Sequence, residues 1–351
     1  MKSPRNWKFD YIKGIACIVV ICLHCPLPGK IGEAVIYGIR FSVPLFFMIT
    51  GYYCESKSNE WIIRKTKDIL FKTLMAEAFY GIWSLFYSLV IEKQNFKYFI
   101  DNMEIVKRPI KVFFFGSMFN GVFWYLYTAI WSYLIILLLR KTGLIKKNLI
   151  CIIIIGLMIT VLVVGRFIVQ NNFDIDKWVY LFLSAPVFGI PMILTGMLFR
   201  RFEEPITRSL SLKANILLLF AGGMVICAEY IFVGQYMDFH YSTMIISCAI
   251  FMFAFTYKRE SIFLKNPISY MGQRLSLWIY LDHIFVDGVL KVTERELGLS
   301  GNTVVLTIHP FMVIILSITI AFMIDTIKQK TSKRKHEMDE AKEVNAKMEQ
   351  Q

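Results

Sequence analysis

Residues Leu149–Val169 read LICIIIIGLMITVLVVGRFIV, an unbroken apolar run whose single charge is Arg166. At 1.5 Å per residue, about 20 such residues cross a hydrocarbon core roughly 30 Å thick. The run is preceded by Arg140, Lys141, Lys146 and Lys147, cations of the kind that stay on the cytoplasmic side of a membrane. Outward from this block, the same alternation of apolar stretch and basic punctuation recurs in both directions. It predicts spans at about Tyr11–Pro26, Val35–Tyr53, Ile69–Ile91, Gly121–Leu139, Leu149–Val169, Phe182–Phe199, Ala214–Val233, Ser242–Tyr257, Leu275–Leu290 and Val304–Ile327. Glu92–Asn120 reads as a long extracytoplasmic stretch with a short apolar piece, Val112–Phe115. The expected fold is all-α, a polytopic membrane protein with about ten transmembrane helices and both termini cytoplasmic. The expected organisation is one transmembrane domain, 1–327, and a charged cytoplasmic tail, 328–351.

Composition agrees with this pattern. Of 351 residues, 56% are hydrophobic and only 19% charged, and the mean hydropathy is +0.54. That is too little charge to cover a soluble domain of this length. The 30 Phe and 17 Tyr suit a chain that anchors rings at membrane interfaces. A net charge of +13 raises the question of nucleic acid. In the topology above, however, 27 of the 39 Lys and Arg fall on one side, about 10 on the other, and Arg40 and Lys72 within or at the ends of spans. This sorting is the positive-inside rule, and the partner it implies is the lipid bilayer rather than nucleic acid. The Glu92–Asn120 stretch, with Lys93, Lys97, Lys107, Arg108 and Lys111, is the one exception. No internal repeat of the transporter kind is visible. The N-terminus lacks a small-x-small cleavage pattern and does not read as a removable signal peptide.

Most of the seven cysteines lie in apolar runs. Cys22-Leu23-His24-Cys25 has a CxxC spacing, but no second Cys pair or nearby His completes a four-ligand set. Small apolar residues on a membrane helix is the reading adopted, and no metal site is expected.

Polar groups within apolar runs are costly and mark pathways or sites. Lys13 and His24 are eleven residues apart, hence about 20° from three full turns and on one helix face, roughly 16 Å apart along the axis. A neutral His suits general-base work. A helix-end histidine bonding a neighbour explains the same position. Arg40 needs an anionic partner, and Glu229 and Glu77 are candidates; a structural ion pair and a substrate contact remain equally open. Arg64 and Lys67, in the basic run 64–67, share one side of a helix and suit phosphate binding or simple anchoring. Ser276, Tyr280 and His283 share a face by i, i+4, i+7 spacing, with Asp282 pointing elsewhere. They fit a site or helix-to-helix hydrogen bonding equally well. His240, His309 and His336 are weaker candidates.

Six motifs in order resemble the acyltransferase-3 family of membrane acyltransferases, over nearly the whole chain outside the tail. They are Lys13 and His24 with ten residues between them and Asp10 just before; the run from Arg40 through Pro44, Phe46 and Phe47 to Gly51-Tyr52-Tyr53; the basic pair Arg64 and Lys67; Trp124-Tyr125-Leu126; Gly196; and Ser276-Leu-Trp-Ile-Tyr280-Leu-Asp-His283. Within the family, the stretches around Gly51 and from Gly272 to Tyr280 are most similar to the membrane half of serine/alanine racemases of glycopeptide resistance. Those carry a pyridoxal-phosphate domain, and about 24 residues after the last span leave no room for one. Lys13 and Lys67 stand where Arg is commoner, and no Arg lies near Ser184–Pro186. Lys offers a point charge in place of a planar fork.

The resemblance implies an O-acyltransferase, and an acetyltransferase in the common case. It would move an acyl group from cytoplasmic acyl-CoA (acetyl-CoA) to a hydroxyl of an extracytoplasmic cell-envelope sugar. The setting it implies is a bacterial plasma membrane. His24 would be the catalytic base or transient acyl carrier, with Lys13 on the same path. Arg40, Arg64, Lys67, Trp124, Tyr125, Glu229, Ser276, Tyr280 and His283 would contact substrates. No cofactor is permanently bound in this reading, and the oligomeric state is open. The alternative is a transporter or flippase for a small polar substrate such as serine.

Overall fold

A computed structural model describes residues 6–116, 118–172, 175–232, 239–259, 262–264 and 266–348. Lys2 and Arg5 of the basic N-terminus, Val233 at the end of the seventh expected span and the last three residues of the tail lie outside them, as does the side chain of His336. The described residues form helices and turns, with no strand among them.

The main helices in chain order are α1 (Trp7–His24), α2 (Gly29–Ile39), α3 (Ser42–Glu55), α4 (Asn59–Phe86), α5 (Trp124–Lys141), α6 (Asn148–Thr160), α7 (Ile190–Arg201), α8 (Leu212–Phe232), α9 (Tyr241–Thr256), α10 (Ser276–Glu296) and α11 (Thr303–Met348). Seven stretches are long and apolar enough to cross a membrane: Gly29–Glu55, Asn59–Ile91, Gly121–Lys141, Asn148–Val169, Val179–Arg201, Leu212–Phe232 and Thr303–Arg334. The other three expected spans correspond to α1, α9 and α10. They fall outside that set because α1 and α10 carry charges (Lys8, Asp10 and Lys13; Asp282, Asp287 and Lys291) and α9 has only 16 residues. The stretch expected to loop between the third and fourth spans holds three short helices, Phe96–Asn102, Glu104–Lys107 and Pro109–Phe115. α11 runs without a break past residue 327.

Local chemistry starts these helices where they start. The Asn6 side chain accepts from the Lys8 and Phe9 amides at 3.0 and 3.4 Å, capping α1. Ser58 caps α4 through the Trp61 amide. Left-handed Gly143 (φ 73°) follows α5, as helix C-termini favour. Single π-helical turns follow α4 and α6 and precede α7 and α10.

Two compact units are present, one of residues 1–36 and 259–351, the other of residues 37–258. In the first, α1 lies backbone to backbone against the segment leading into α10. A Cβ on Gly272 would sit 1.8 Å from the Asp10 carbonyl oxygen, and one on Gly14 2.1 Å from that of Ile268. In the second, α3 and α7 meet the same way. A Cβ on Gly196 would meet the Met48 carbonyl oxygen at 1.8 Å, and one on Gly51 that of Ile193 at 2.0 Å. Without a hydrophobic drive between helices in lipid, such small-residue contacts supply the packing.

Candidate active site

The first unit gathers the histidines. α1 presents His24 on its last turn, exposed, and α10 presents His283, fully buried. Their rings lie 5.3 Å apart, tilted by 43°. Tyr280, one turn before His283, has its ring 5.9 Å from it. His283 Nδ1 lies 3.1 Å from the Ile279 carbonyl oxygen. A carbonyl only accepts, so Nδ1 carries the proton and Nε2 presents a lone pair. Nε2 is buried and has no hydrogen-bond partner among the described residues. A neutral imidazole held in one tautomer with a free acceptor nitrogen is the arrangement general-base chemistry uses. Ser276, on the same face of α10, accepts from the Cys17 thiol of α1 through its backbone oxygen at 3.9 Å. Lys13 is half-buried on α1. Of the sequence candidates, His24, Tyr280 and His283 are thus brought together, with Ser276 on the same face of α10.

The second unit gathers aromatic and basic candidates. Tyr125 packs on Phe47 at 4.8 Å and Phe46 at 6.2 Å, Trp124 packs edge-on against Phe188 at 5.5 Å, and Phe47 and Phe188 touch at 5.7 Å. The aromatic run of α3 and the Trp-Tyr-Leu start of α5 therefore converge in one cluster. Arg40 stands in the turn between α2 and α3, half-buried, rather than inside a continuous helix. The Glu229 carboxylate caps the next helix. It accepts from the Tyr241 amide at 3.1 Å, from the Ser242 amide at 3.3 Å and from the Ser242 hydroxyl, suiting the positive end of α9. Glu77 accepts from the Tyr127 hydroxyl at 3.4 Å. Arg64 and Lys67 are exposed on the first turns of α4, with no hydrogen-bond or ion-pair partner among the described residues. Their neighbours Lys65 and Lys72 both pair with Asp68.

Residues 6–326 match the acyltransferase domain of the acyltransferase-3 family. The chain belongs to that family. No curated protein and no solved structure matches it. Membership makes this a membrane acyltransferase in general kind, and its several apolar helices accord with a multi-pass membrane protein.

Sequence spacing found the Lys13–His24 and Ser276–Tyr280–His283 faces. It missed what surrounds Cys25. Asp287, one turn beyond His283, accepts from the Cys25 thiol at 3.4 Å, from His309 Nε2 at 2.8 Å and from Lys291 at 2.8 Å. The i, i+4 relation of His283 and Asp287 was a readable signal; the approach of His309, from α11, was not.

Proposed function

We propose that this acyltransferase moves an acyl group from acyl-CoA, with acetyl-CoA as the ordinary donor, to a hydroxyl of an extracytoplasmic cell-envelope sugar. The observation that carries the proposal is the His24–His283 pair, two imidazoles 5.3 Å apart, one of them locked with a free acceptor nitrogen. His24, the exposed member, takes the acceptor hydroxyl proton. The oxygen then attacks the thioester carbon, the carbon–sulfur bond breaks, and the proton passes to the departing CoA thiolate. His283 Nε2 holds the His24 ring or relays its proton. Tyr280, whose ring lies 5.9 Å from that of His283, donates to the developing oxyanion in this reading. Lys13 belongs to the same path, and the exposed cations Arg64 and Lys67 suit the phosphates of CoA. Arg40, Trp124, Tyr125, Glu229 and Ser276 complete the substrate contacts in this reading.

The proposal includes ten spans, counting α1, α9 and α10 with the seven apolar stretches, both termini in the cytoplasm and a bacterial plasma membrane. The motif likeness to the membrane half of serine/alanine racemases belongs to it as well. The test is CoA-thiol release by the purified protein in liposomes supplied with acetyl-CoA and envelope glycan. Release that disappears in His24→Ala, with the variant still monodisperse, is the expected outcome. Release that survives in His24→Ala sinks the assignment, and serine uptake without CoA release replaces it by transport.

A further inference from the structure

We propose that Cys25, Asp287 and His309 form a binding site for a divalent ion of the zinc class, with Glu294 orienting His309 from behind. The three come from the end of α1, the middle of α10 and the second turn of α11. All are buried, at 3%, 7% and 6% exposure. Their donor atoms, Cys25 Sγ, an Asp287 oxygen and a His309 ring nitrogen, all lie within 4.8 Å of one another. Thiolate, imidazole and carboxylate together are the ligand set of a borderline-soft ion, and a thiolate ligand argues against Mg²⁺ or Ca²⁺.

Two of the three donor-to-donor distances are close to those a metal imposes. Bonds of about 2.0–2.3 Å in tetrahedral geometry place neighbouring donor atoms roughly 3.3–3.6 Å apart. Cys25 Sγ to Asp287 Oδ1 is 3.4 Å already, and Asp287 Oδ1 to His309 Nε2, at 2.8 Å, opens by about half an ångström. The far nitrogen of His309, Nδ1, lies 2.6 Å from Glu294 Oε1. A carboxylate on one imidazole nitrogen aims the other at a metal and raises its basicity, the usual outer support of a metal-bound histidine. Three protein ligands leave one position open, the pattern of reactive rather than purely structural zinc sites.

Charge closes in both states. Without metal, both nitrogens of His309 face carboxylate oxygens, and each of the two contacts holds one proton between ring and carboxylate. Cys25 is then a neutral thiol donating to Asp287. On binding, the S–H of Cys25 and the Nε2–H of His309 leave as two protons while the dication enters. The site's net charge is unchanged, and nothing is oxidised or reduced. Lys291 stays on the other oxygen of Asp287 and Glu294 keeps the Nδ1 proton. His24 and His283, next to Cys25 and one turn before Asp287, and Cys22, one turn before Cys25, are further titratable neighbours among the described residues. A carboxylate between thiol and imidazole opposes a free thiolate, so the same cluster is poorly arranged for cysteine nucleophilic catalysis.

The site is independent of the acyl-transfer reading and is tested by binding. The full-length protein in detergent is stripped with a chelator and titrated with Co²⁺. We expect one Co²⁺ per chain and a thiolate-to-cobalt charge-transfer band that Zn²⁺ abolishes. Cys25→Ser loses the band, Cys22→Ser keeps it, and Glu294→Gln binds about 10–100-fold more weakly. Absence of the band in the unmodified protein, or its survival in Cys25→Ser, overturns the proposal. Should Cys25→Ser fail to give a monodisperse protein, X-ray absorption of the cobalt-loaded unmodified protein decides. One sulfur and one imidazole neighbour support the site, and an all-oxygen shell ends it.

Discussion

In the unit of residues 1–36 and 259–351, charged and titratable groups face one another from different helices. His24 meets His283, Asp287 binds Cys25, Lys291 and His309, and Asp325 takes a two-pronged contact from Arg274 at 2.8 and 3.0 Å while accepting from Tyr270 at 2.7 Å. In the unit of residues 37–258, most of the charge gathers at helix ends, with buried Glu77, facing Tyr127 from mid-helix, and buried Arg166 as exceptions. Arg140 donates to the Cys54 carbonyl in the last turn of α3 and to the Lys57 carbonyl just beyond it, Arg201 forks onto Glu55, and Arg200 binds Glu203 and Tyr52. The interior there is aromatic. The two arrangements have different costs and uses. A polar group at a helix end keeps access to water or headgroups, whereas one facing another helix in mid-bundle must find a partner, and a site is the commonest reason to keep it. Under the proposed function, chemistry belongs to the first unit, and recognition and anchoring belong to the second.

The largest test of that division replaces one imidazole in each unit. His24→Ala should lower CoA-thiol release by about 10²–10⁴-fold, the range a positioned acid–base group supplies. His283→Ala should lie at the lower end of that range, because it acts through His24. In the second unit His240 caps α9, with Nδ1 2.9 Å from the Tyr37 hydroxyl. His240→Ala should cost stability, roughly 1 kcal/mol, and leave turnover per folded molecule within about two- to threefold, a drop smaller than one decade. Equal losses at His24 and His240 would abolish the division.

The second test asks whether the two units share a packing rule despite their different chemistry. Gly272→Leu and Gly196→Leu each push a side chain into a carbonyl oxygen that a single Cβ would already overlap. Both should destabilise by about 3 kcal/mol, at the upper end of overpacking costs, because backbone cannot step aside. Thermal scanning in detergent reads the two side by side. A neutral Gly196→Leu would mean that α3 and α7 are free to separate.

These comparisons also show what the chain's primary structure discloses. Local periodicity suffices for Leu149–Val169, and fixed spacing suffices to put Lys13 with His24 and Ser276 with His283 on their faces, because a helix repeats every 3.6 residues. The same logic rightly put Arg40 inside a span, Gly29–Glu55, but did not see the turn between α2 and α3 on which it stands, since that turn interrupts no apolar run. It could not find Cys25 with Asp287 and His309, which belong to three helices and meet only through long-range packing. Nor could it tell that Glu229 caps α9, a contact made across residues outside any short motif.

Glu229 gives the third and smaller effect. As a cap, Glu229→Gln keeps the shape, weakens the bonds to the Tyr241 and Ser242 amides, and should cost about 0.5–2 kcal/mol with no change in KM for acceptor. As a substrate contact, the same change raises KM with little loss of stability. The ratio of the two effects decides which role the second unit gives this carboxylate.

The smallest effect is expected at an ion pair outside the spans. Lys111 donates to Glu104 at 2.9 Å between two of the short helices of the 92–120 stretch. That hydrogen bond holds the Glu104 carboxyl below its usual range. The folded state therefore binds the Glu104 proton less readily than the unfolded chain does. Its contribution is complete above the ordinary carboxylate range and is lost as pH falls through the folded value. Partial exposure and salt screening limit it to about 1 kcal/mol or less. Glu104→Gln should thus lower the melting temperature slightly at neutral pH and low salt, and the difference should vanish in acid and shrink in 1 M salt (Debye length about 3 Å). In the first unit, Asp325→Asn should behave differently. Its carboxylate is nearly buried while Arg274 is exposed, so its loss removes a two-pronged pair with one buried member, an effect that salt screens less than it does the Glu104 pair. A Glu104→Gln effect as large and as salt-insensitive as that of Asp325→Asn would show that the two units do not handle charge differently after all.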